Sequence, residues 1–140
     1  MFNTIAGKRI AVFGFAFKAD TGDTRDSPAC AVVKDLLAER AHVAITDPRA
    51  LSNARIDLAG ADGTVEFVED PYAAAEGAHA IAVLTEWNLY RHLDYHSIFK
   101  RMVKPAFIFD GRKRNLLDHN ALHAVGFNVF PTGRRPLKHI

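Results

Sequence analysis

Short apolar runs that end in polar residues or glycine recur along this chain, and they constrain its fold more than any other feature. "KRIAVF" at 8–13 ends at Gly14, and "HAIAVLT" at 79–85 and "AFIFD" at 106–110 have the same form. Runs of four to eight residues with little polar alternation are typical of strands covered on both faces, as in parallel sheets. The sequence therefore predicts several buried strands.

Helical patterns separate these runs. From Ser27 to near Arg40, apolar residues recur at the i, i+3, i+4 spacing of one helix face, at Ala29, Val32, Val33, Leu36 and Leu37. Ser27 is expected to cap this helix because its side-chain oxygen can accept a hydrogen bond from a free backbone N–H. Pro28 suits the first helical position, where a missing N–H is no loss.

The remaining segments continue the alternation. We predict further strands at 42–46, 65–68 and 127–130, and helices from Pro71, over about 90–102 and over 116–125. The stretch 49–63 is either a short helix or an excursion at the sheet edge. Strands alternating with helices predict an α/β fold, a Rossmann-like doubly wound and mostly parallel sheet of five or six strands with helices on both faces.

Composition limits the classes of protein to which the chain can belong. Its 140 residues, 49% of them hydrophobic, predict one domain over 1–140. A net charge of +2 gives no reason to expect a nucleic-acid partner, and no apolar run approaches a membrane span. The first residues show no apolar stretch followed by a small-residue cleavage site, so we expect no secretory signal, and the single Cys30 cannot form an internal disulfide. We therefore expect a cytoplasmic protein.

Charged side chains follow three of the predicted strands. The loop "GFAFKADTGDTRDSP" at 14–28 carries Lys18 and Arg25, and the other two strands are followed by Thr85-Glu86-Trp87 and Asp110-Gly111-Arg112. The carboxyl ends of parallel strands share one edge of the sheet, where ligands of such folds bind. A lysine and two arginines at one edge suit an anion with several oxygens, such as a diphosphate.

Two familiar phosphate motifs are missing from this loop. The loop lacks the Gly-Lys-Ser/Thr ending that a Walker A motif requires after Gly14, and Phe15-Ala16 after Gly14 does not fit a G-x-G-x-x-G fingerprint. An NAD site built wholly within the chain is therefore disfavoured. From chemistry alone, Lys18 and Arg25 could equally form a surface salt network with the loop's own acids, Asp20, Asp23 and Asp26.

The histidines and the cysteine do not indicate a further site. His92 and His96, like His119 and His123, lie four residues apart, but neither pair has the glutamate of an HExxH zinc motif. We interpret them as solvated helix histidines and predict no metal site. Cys30 is interpreted as a small buried hydrophobic residue.

Several of these phrases occur together in one protein family. "GFAFKADTGDTRDSP", "TDP", "GAHAIAVLTEW" and "KPAFIFDGR" resemble, in order and spacing, the C-terminal UDP-binding domain of UDP-glucose 6-dehydrogenases, of the UDP-glucose/GDP-mannose dehydrogenase family. The resemblance extends from Phe2 to about Gly133. It implies an oxidoreductase that converts UDP-glucose to UDP-glucuronate with two NAD reduced, in which an N-terminal domain binds NAD and a central region forms the dimer.

The resemblance also implies roles for individual residues. Phe17, Lys18 and Arg112 resemble the family's substrate contacts, and Arg25 resembles an arginine that reaches the NAD held by the other domain. The family's nucleophilic cysteine lies in an upstream Gly-Cys motif, which is missing here, so no catalytic residue is assigned. We therefore expect these 140 residues alone to produce no NADH from UDP-glucose and NAD.

Two other functions remain open from the sequence. The chain could be a free-standing, catalytically silent nucleotide-binding module, or an oligomerisation element. UDP or UDP-glucose is the expected ligand, and the full-length form is expected to be a homo-oligomer.

Overall fold

A computed structural model describes residues 5–16, 18–25, 27–61, 63–111, 116–132 and 135–139. Within these ranges the strands and helices alternate in the order β1 Arg9–Phe13, α1 Pro28–Ala38, β2 His42–Thr46, α2 Leu51–Asp57, β3 Thr64–Phe67, α3 Pro71–Ala75, β4 Ala80–Val83, α4 Tyr95–Arg101, β5 Phe107–Asp110, α5 His119–Val125 and β6 Asn128–Pro131. A short 3-10 helix, Asn88–His92, precedes α4.

The six strands form one parallel sheet in the order β3-β2-β1-β4-β5-β6. Strand β1 lies between β2 and β4, and its last residue, Phe13, pairs with Thr46 on one side and Val83 on the other. Strands β2 and β3 follow one another outward on one side of β1, and β4, β5 and β6 follow one another outward on the other side. The predicted Rossmann-like, doubly wound fold is confirmed, and its sheet is parallel throughout.

The apolar runs are buried as their composition predicts. All four residues of β4 are buried, and Ala11, Val12 and Phe13 of β1 are fully buried. The core extends from these central strands to the apolar face of α1. No helix in the described ranges is both long enough and apolar enough to cross a membrane.

Helix α1 begins where the sequence predicts. Ser27 Oγ accepts a hydrogen bond from the Ala29 backbone N–H, and Pro28 occupies the first turn. The buried face consists of Ala29, Val33 and Leu37, with the neighbouring Val32 and Leu36 half-buried. This helix ends at Ala38, two residues before the predicted Arg40.

Two predicted helices are shorter than expected because aspartates cap them. The predicted helix over 90–102 is divided, since the Asp94 side chain accepts from the Ser97 N–H and starts α4 after the 3-10 helix. Asp118 likewise accepts from Ala121 N–H, so α5 starts at His119 instead of 116. The unassigned stretch 49–63 contains α2.

Candidate functional site

The carboxyl ends of β1, β4 and β5 lie side by side at one edge of the sheet. Strand β4 is hydrogen-bonded to both β1 and β5, so the loops that follow these three strands emerge next to one another. The direction of chain building reverses between β1 and β4, which is where open α/β sheets form their ligand crevice. The three strand ends that the sequence predicts at one edge are therefore neighbours in the structure.

The turn after β1 depends on a glycine. Gly14 has a φ of +99° and its N–H donates to the Thr46 carbonyl at 2.8 Å. A Cβ placed on Gly14 would lie 2.4 Å from the Cβ and 2.8 Å from the backbone nitrogen of Thr85, which follows β4. Both the backbone conformation and this close approach exclude a side chain.

One buried carboxylate holds the next part of the turn. Asp47, directly after β2, is 3% exposed, and its Oδ2 accepts hydrogen bonds from the backbone N–H groups of Phe15 at 2.8 Å and Ala16 at 3.0 Å. The same oxygen accepts from Trp87 Nε1 at 3.1 Å. Oδ1 accepts from two further N–H groups, those of Arg49 and Ala50, each at 2.8 Å. The turn is thus fixed by a side chain of the protein itself.

The carbonyl groups of the turn are bound as well. Ser27 Oγ donates to the Phe15 carbonyl at 2.9 Å, and Thr85 Oγ1 donates to the Ala16 carbonyl at 2.8 Å. At the start of α1, Pro28 has no N–H and the Ala29 N–H is bound to Ser27. Neither of these two positions at the helix start therefore has a free backbone donor for a ligand.

Beyond the turn, the loop rests on α2 and on the segment that precedes it. Arg49 donates to the Asp20 carbonyl at 3.2 Å, and Asn53 Nδ2 donates to the Gly22 carbonyl at 2.6 Å. Thr24 Oγ1 donates to the Asp57 carboxylate at 2.5 Å. Helix α2, which the sequence did not resolve, is therefore the platform for the loop with the predicted cations.

Lys18 and Arg25 differ in their surroundings. Lys18 is exposed, and it has no hydrogen bond or ion pair with any residue that the structure describes. Arg25 is exposed but forms a two-pronged ion pair with Asp23, with its Nε and a terminal nitrogen 3.0 and 2.9 Å from the two carboxylate oxygens. The salt-network alternative thus describes Arg25, whereas Lys18 pairs with neither Asp20 nor Asp23, the two loop acids that the structure describes.

The pair changes the acidity of Asp23. Hydrogen bonds from the side chain and then the backbone of Arg25 stabilise the carboxylate and lower the pKa of Asp23 from 3.8 to about 2. Because both side chains are solvent-accessible, the ion pair can be exchanged at little cost for another anion.

Phe17 and Arg112 lie outside the described residues. The convergence of Arg112 with Lys18 and Arg25 on one ligand therefore stays a prediction.

A second buried carboxylate lies at the same edge. Asp110, the last residue of β5, is fully buried, and its Oδ2 is 2.8 Å from Nε2 of His119, the first residue of α5. The interpretation of His119 as a solvated helix histidine is wrong, because its side chain is only 12% exposed. The position of Asp110 at the end of a predicted strand could have indicated that it pairs with His119.

The other histidines and the cysteine also differ in part from expectation. His92 and His96 do not share a helix, since one ends the 3-10 helix and the other lies in α4. The ring of His123 stacks on that of His139 at 4.0 Å. Cys30 is half-buried instead of fully buried.

The organising role of Asp47 is not indicated by the sequence pattern, in which this residue only follows the predicted strand at 42–46. Next to Asp47 in the chain, the Thr46 carbonyl accepts a hydrogen bond at 3.3 Å from the hydroxyl of the fully buried Tyr90, whose ring centroid lies 5.2 Å from that of Phe13. Burial, and then the nearby Asp47 charge, raise the pKa of Tyr90.

The chain is similar to known dehydrogenases over nearly its whole length. It is 45% identical to UDP-glucose 6-dehydrogenase of Rattus norvegicus over 146 residues, which cover 96% of this chain and 29% of the rat protein. The enzyme of the same name from Caenorhabditis elegans is 45% identical over 143 residues, 97% of this chain and 29% of that protein. The chain thus spans under a third of the length of these relatives.

Solved structures of dehydrogenases are also similar to this chain. A UDP-glucose dehydrogenase from Pyrobaculum islandicum superposes with a TM-score of 0.70 at 29% identity, over 91% of this chain and 26% of that one. An NDP-N-acetyl-D-galactosaminuronic acid dehydrogenase from Methanosarcina mazei superposes with a TM-score of 0.77 at 26% identity, over 94% and 26%.

A family model described as the UDP binding domain of the UDP-glucose/GDP-mannose dehydrogenase family matches residues 11–119. This range begins in β1 and ends at the first residue of α5, so it includes the turn held by Asp47 and the strand ends that form the crevice. The chain belongs to the UDP-glucose/GDP-mannose dehydrogenase family and corresponds to its UDP binding domain.

Proposed function

We propose that residues 1–140 form one unit, the UDP-sugar-binding part of an NAD-dependent UDP-glucose 6-dehydrogenase, an oxidoreductase that converts UDP-glucose to UDP-glucuronate by two hydride transfers. The observation that supports the proposal is the exposed Lys18 on the loop that follows β1. Asp47 fixes this loop at Phe15 and Ala16, and Asn53 of α2 binds it at Gly22. A fixed loop with a cation that has no described partner is suited to bind an anion.

The proposed contacts follow from the chemistry of each side chain. The Lys18 ammonium group binds the diphosphate as a compact charge, and the Arg112 guanidinium supplies a planar, two-pronged donor to the substrate. Phe17 offers flat apolar surface to the ligand. Arg25 leaves Asp23 to reach the NAD, which in the full-length enzyme is bound mostly by the N-terminal domain.

Calorimetry with UDP and UDP-glucose tests this proposal on the 140-residue chain. We expect UDP to bind, and Lys18→Ala and Arg112→Ala each to weaken binding about tenfold to hundredfold, because each removes a charged hydrogen-bond donor. Lys100→Ala is the matched control, since Lys100 is an exposed lysine on α4. Wild-type affinity in both site variants would refute the site. If the parent chain binds neither UDP nor UDP-glucose, the proposed function is refuted.

We also propose a location and an assembly for the enzyme. It is cytoplasmic, and its full-length form is a homo-oligomer. Sedimentation of the full-length protein at several concentrations tests the assembly, and a monomer at every concentration would contradict it.

A further inference from the structure

The carboxylate of Asp47 occupies a cradle of N–H groups of the kind that usually binds a phosphate. In dinucleotide-binding folds, the backbone N–H groups after the first glycine of the β1–α1 turn point to a pyrophosphate. Here the two N–H groups after Gly14, those of Phe15 and Ala16, point to Asp47 Oδ2 at 2.8 and 3.0 Å. The turn thus holds an anion that belongs to the chain itself.

The cradle is complete without a ligand. Trp87 Nε1 and the N–H groups of Arg49 and Ala50 bring the number of donors to five, and all five are uncharged. No lysine, arginine or histidine in the described part of the chain forms an ion pair with Asp47. Since both carboxylate oxygens accept from N–H donors, the group has the bonding pattern of an ionised carboxylate.

The donors come from three separate parts of the fold. Phe15 and Ala16 belong to the turn after β1, Arg49 and Ala50 to the segment before α2, and Trp87 to the loop after β4. Removing the carboxylate would leave buried N–H groups of all three without an acceptor, which is costly.

We propose that Asp47 is a positioning residue that acts as an internal anion in place of a bound phosphate. It fixes the turn from which the Lys18 loop departs, and it makes the backbone of this turn unavailable to a dinucleotide. The ligand's diphosphate must then be bound by cationic side chains beyond the turn.

Chemical rescue of Asp47→Ala by formate tests the proposal, since formate is a carboxylate small enough for the vacated space. We expect the Tm of this variant to fall by about 10 °C or more in sodium chloride. Sodium formate at equal ionic strength should restore much of the loss, with a midpoint no tighter than about 1 mM, the limit for so small an anion. The parent and Asp35→Ala, which removes an exposed carboxylate of α1, should show no formate-specific change.

Trp87 supplies a second readout because it is the only tryptophan in the chain and donates to Asp47. Its emission should shift in Asp47→Ala and return with formate. Asp47→Asn keeps the shape but replaces an acceptor by a donor, so it should lose stability and shift the Trp87 emission without any response to formate. If Asp47→Ala does not fold in either salt, Asp47→Asn decides, and a parental Tm and emission in Asp47→Asn would overturn the proposal.

Equal Tm values of Asp47→Ala in formate and chloride would also overturn the proposal. A final arm rests on the proposed function: UDP affinity should fall in Asp47→Ala and recover with formate. Formate rescue of the Tm in a chain whose parent does not bind UDP would contradict the proposed function and leave the role of Asp47 supported.

Discussion

Replacing Gly14 by alanine tests how closely the β1–α1 turn approaches the loop after β4. The substitution forces an L side chain to adopt a φ of +99° and places its Cβ 2.4 Å from the Cβ of Thr85. The backbone strain costs about 1–2 kcal/mol. Overpacking costs about 1–3 kcal/mol. Displacing Thr85 also breaks its hydrogen bond to the Ala16 carbonyl, which contributes about 1 kcal/mol.

The expected loss in the free energy of unfolding is therefore about 3–6 kcal/mol, measured by urea denaturation. Two other glycines separate its causes. Gly77 has a φ of +70° but nothing within 4 Å of an added Cβ, so Gly77→Ala isolates the strain and should cost about 1–2 kcal/mol. Gly60 has neither a left-handed φ nor a close neighbour, so Gly60→Ala should change stability by no more than about 0.5 kcal/mol.

The comparison between Gly14→Ala and Gly77→Ala decides the question. If they differ by less than about 1 kcal/mol, the turn can move away from Thr85 without cost, and the close packing of these two loops does not constrain the site. A large difference in stability with unchanged UDP affinity would show that the turn supports the fold but not the ligand.

Two further outcomes follow from the ion pairs at the same edge. Arg25→Ala should return the pKa of the Asp23 carboxyl, measured by NMR titration, from about 2 toward 3.8, and an unchanged pKa would contradict the pairing. Because the folded-state pKa is the lower one, the pair stabilises the fold above about pH 4, and this contribution is lost as the pH falls toward 2. His119→Ala should cost about 1–3 kcal/mol in urea denaturation, since it removes a hydrogen bond from the buried Asp110, whereas a loss under about 0.5 kcal/mol would show that the contact is not maintained in solution.

Local patterns in the sequence were sufficient for most of the fold. The burial of β4 follows from its uninterrupted apolar residues, and the start of α1 follows from Ser27 and Pro28, because burial and capping depend on neighbours in the chain. Helix α2 was not resolved, since it has no side-chain cap and buries only Ala54. Its position is decided by the loop to which Asn53 and Asp57 are hydrogen-bonded.

The candidate site is likewise determined partly by the sequence and partly by the tertiary structure. The sequence alone determined that polar residues follow the buried strands, and the parallel sheet it predicts brings the ends of β1, β4 and β5 to one edge. Only the tertiary structure decided which charges are available to a ligand. Asp47 and Asp110 are both buried and bound within the protein, Arg25 is paired with Asp23, and Lys18 is exposed. Hydrogen bonds between residues some thirty or forty positions apart, as between Asp47 and both Ala16 and Trp87, have no signature in local spacing, because folding alone brings these groups together.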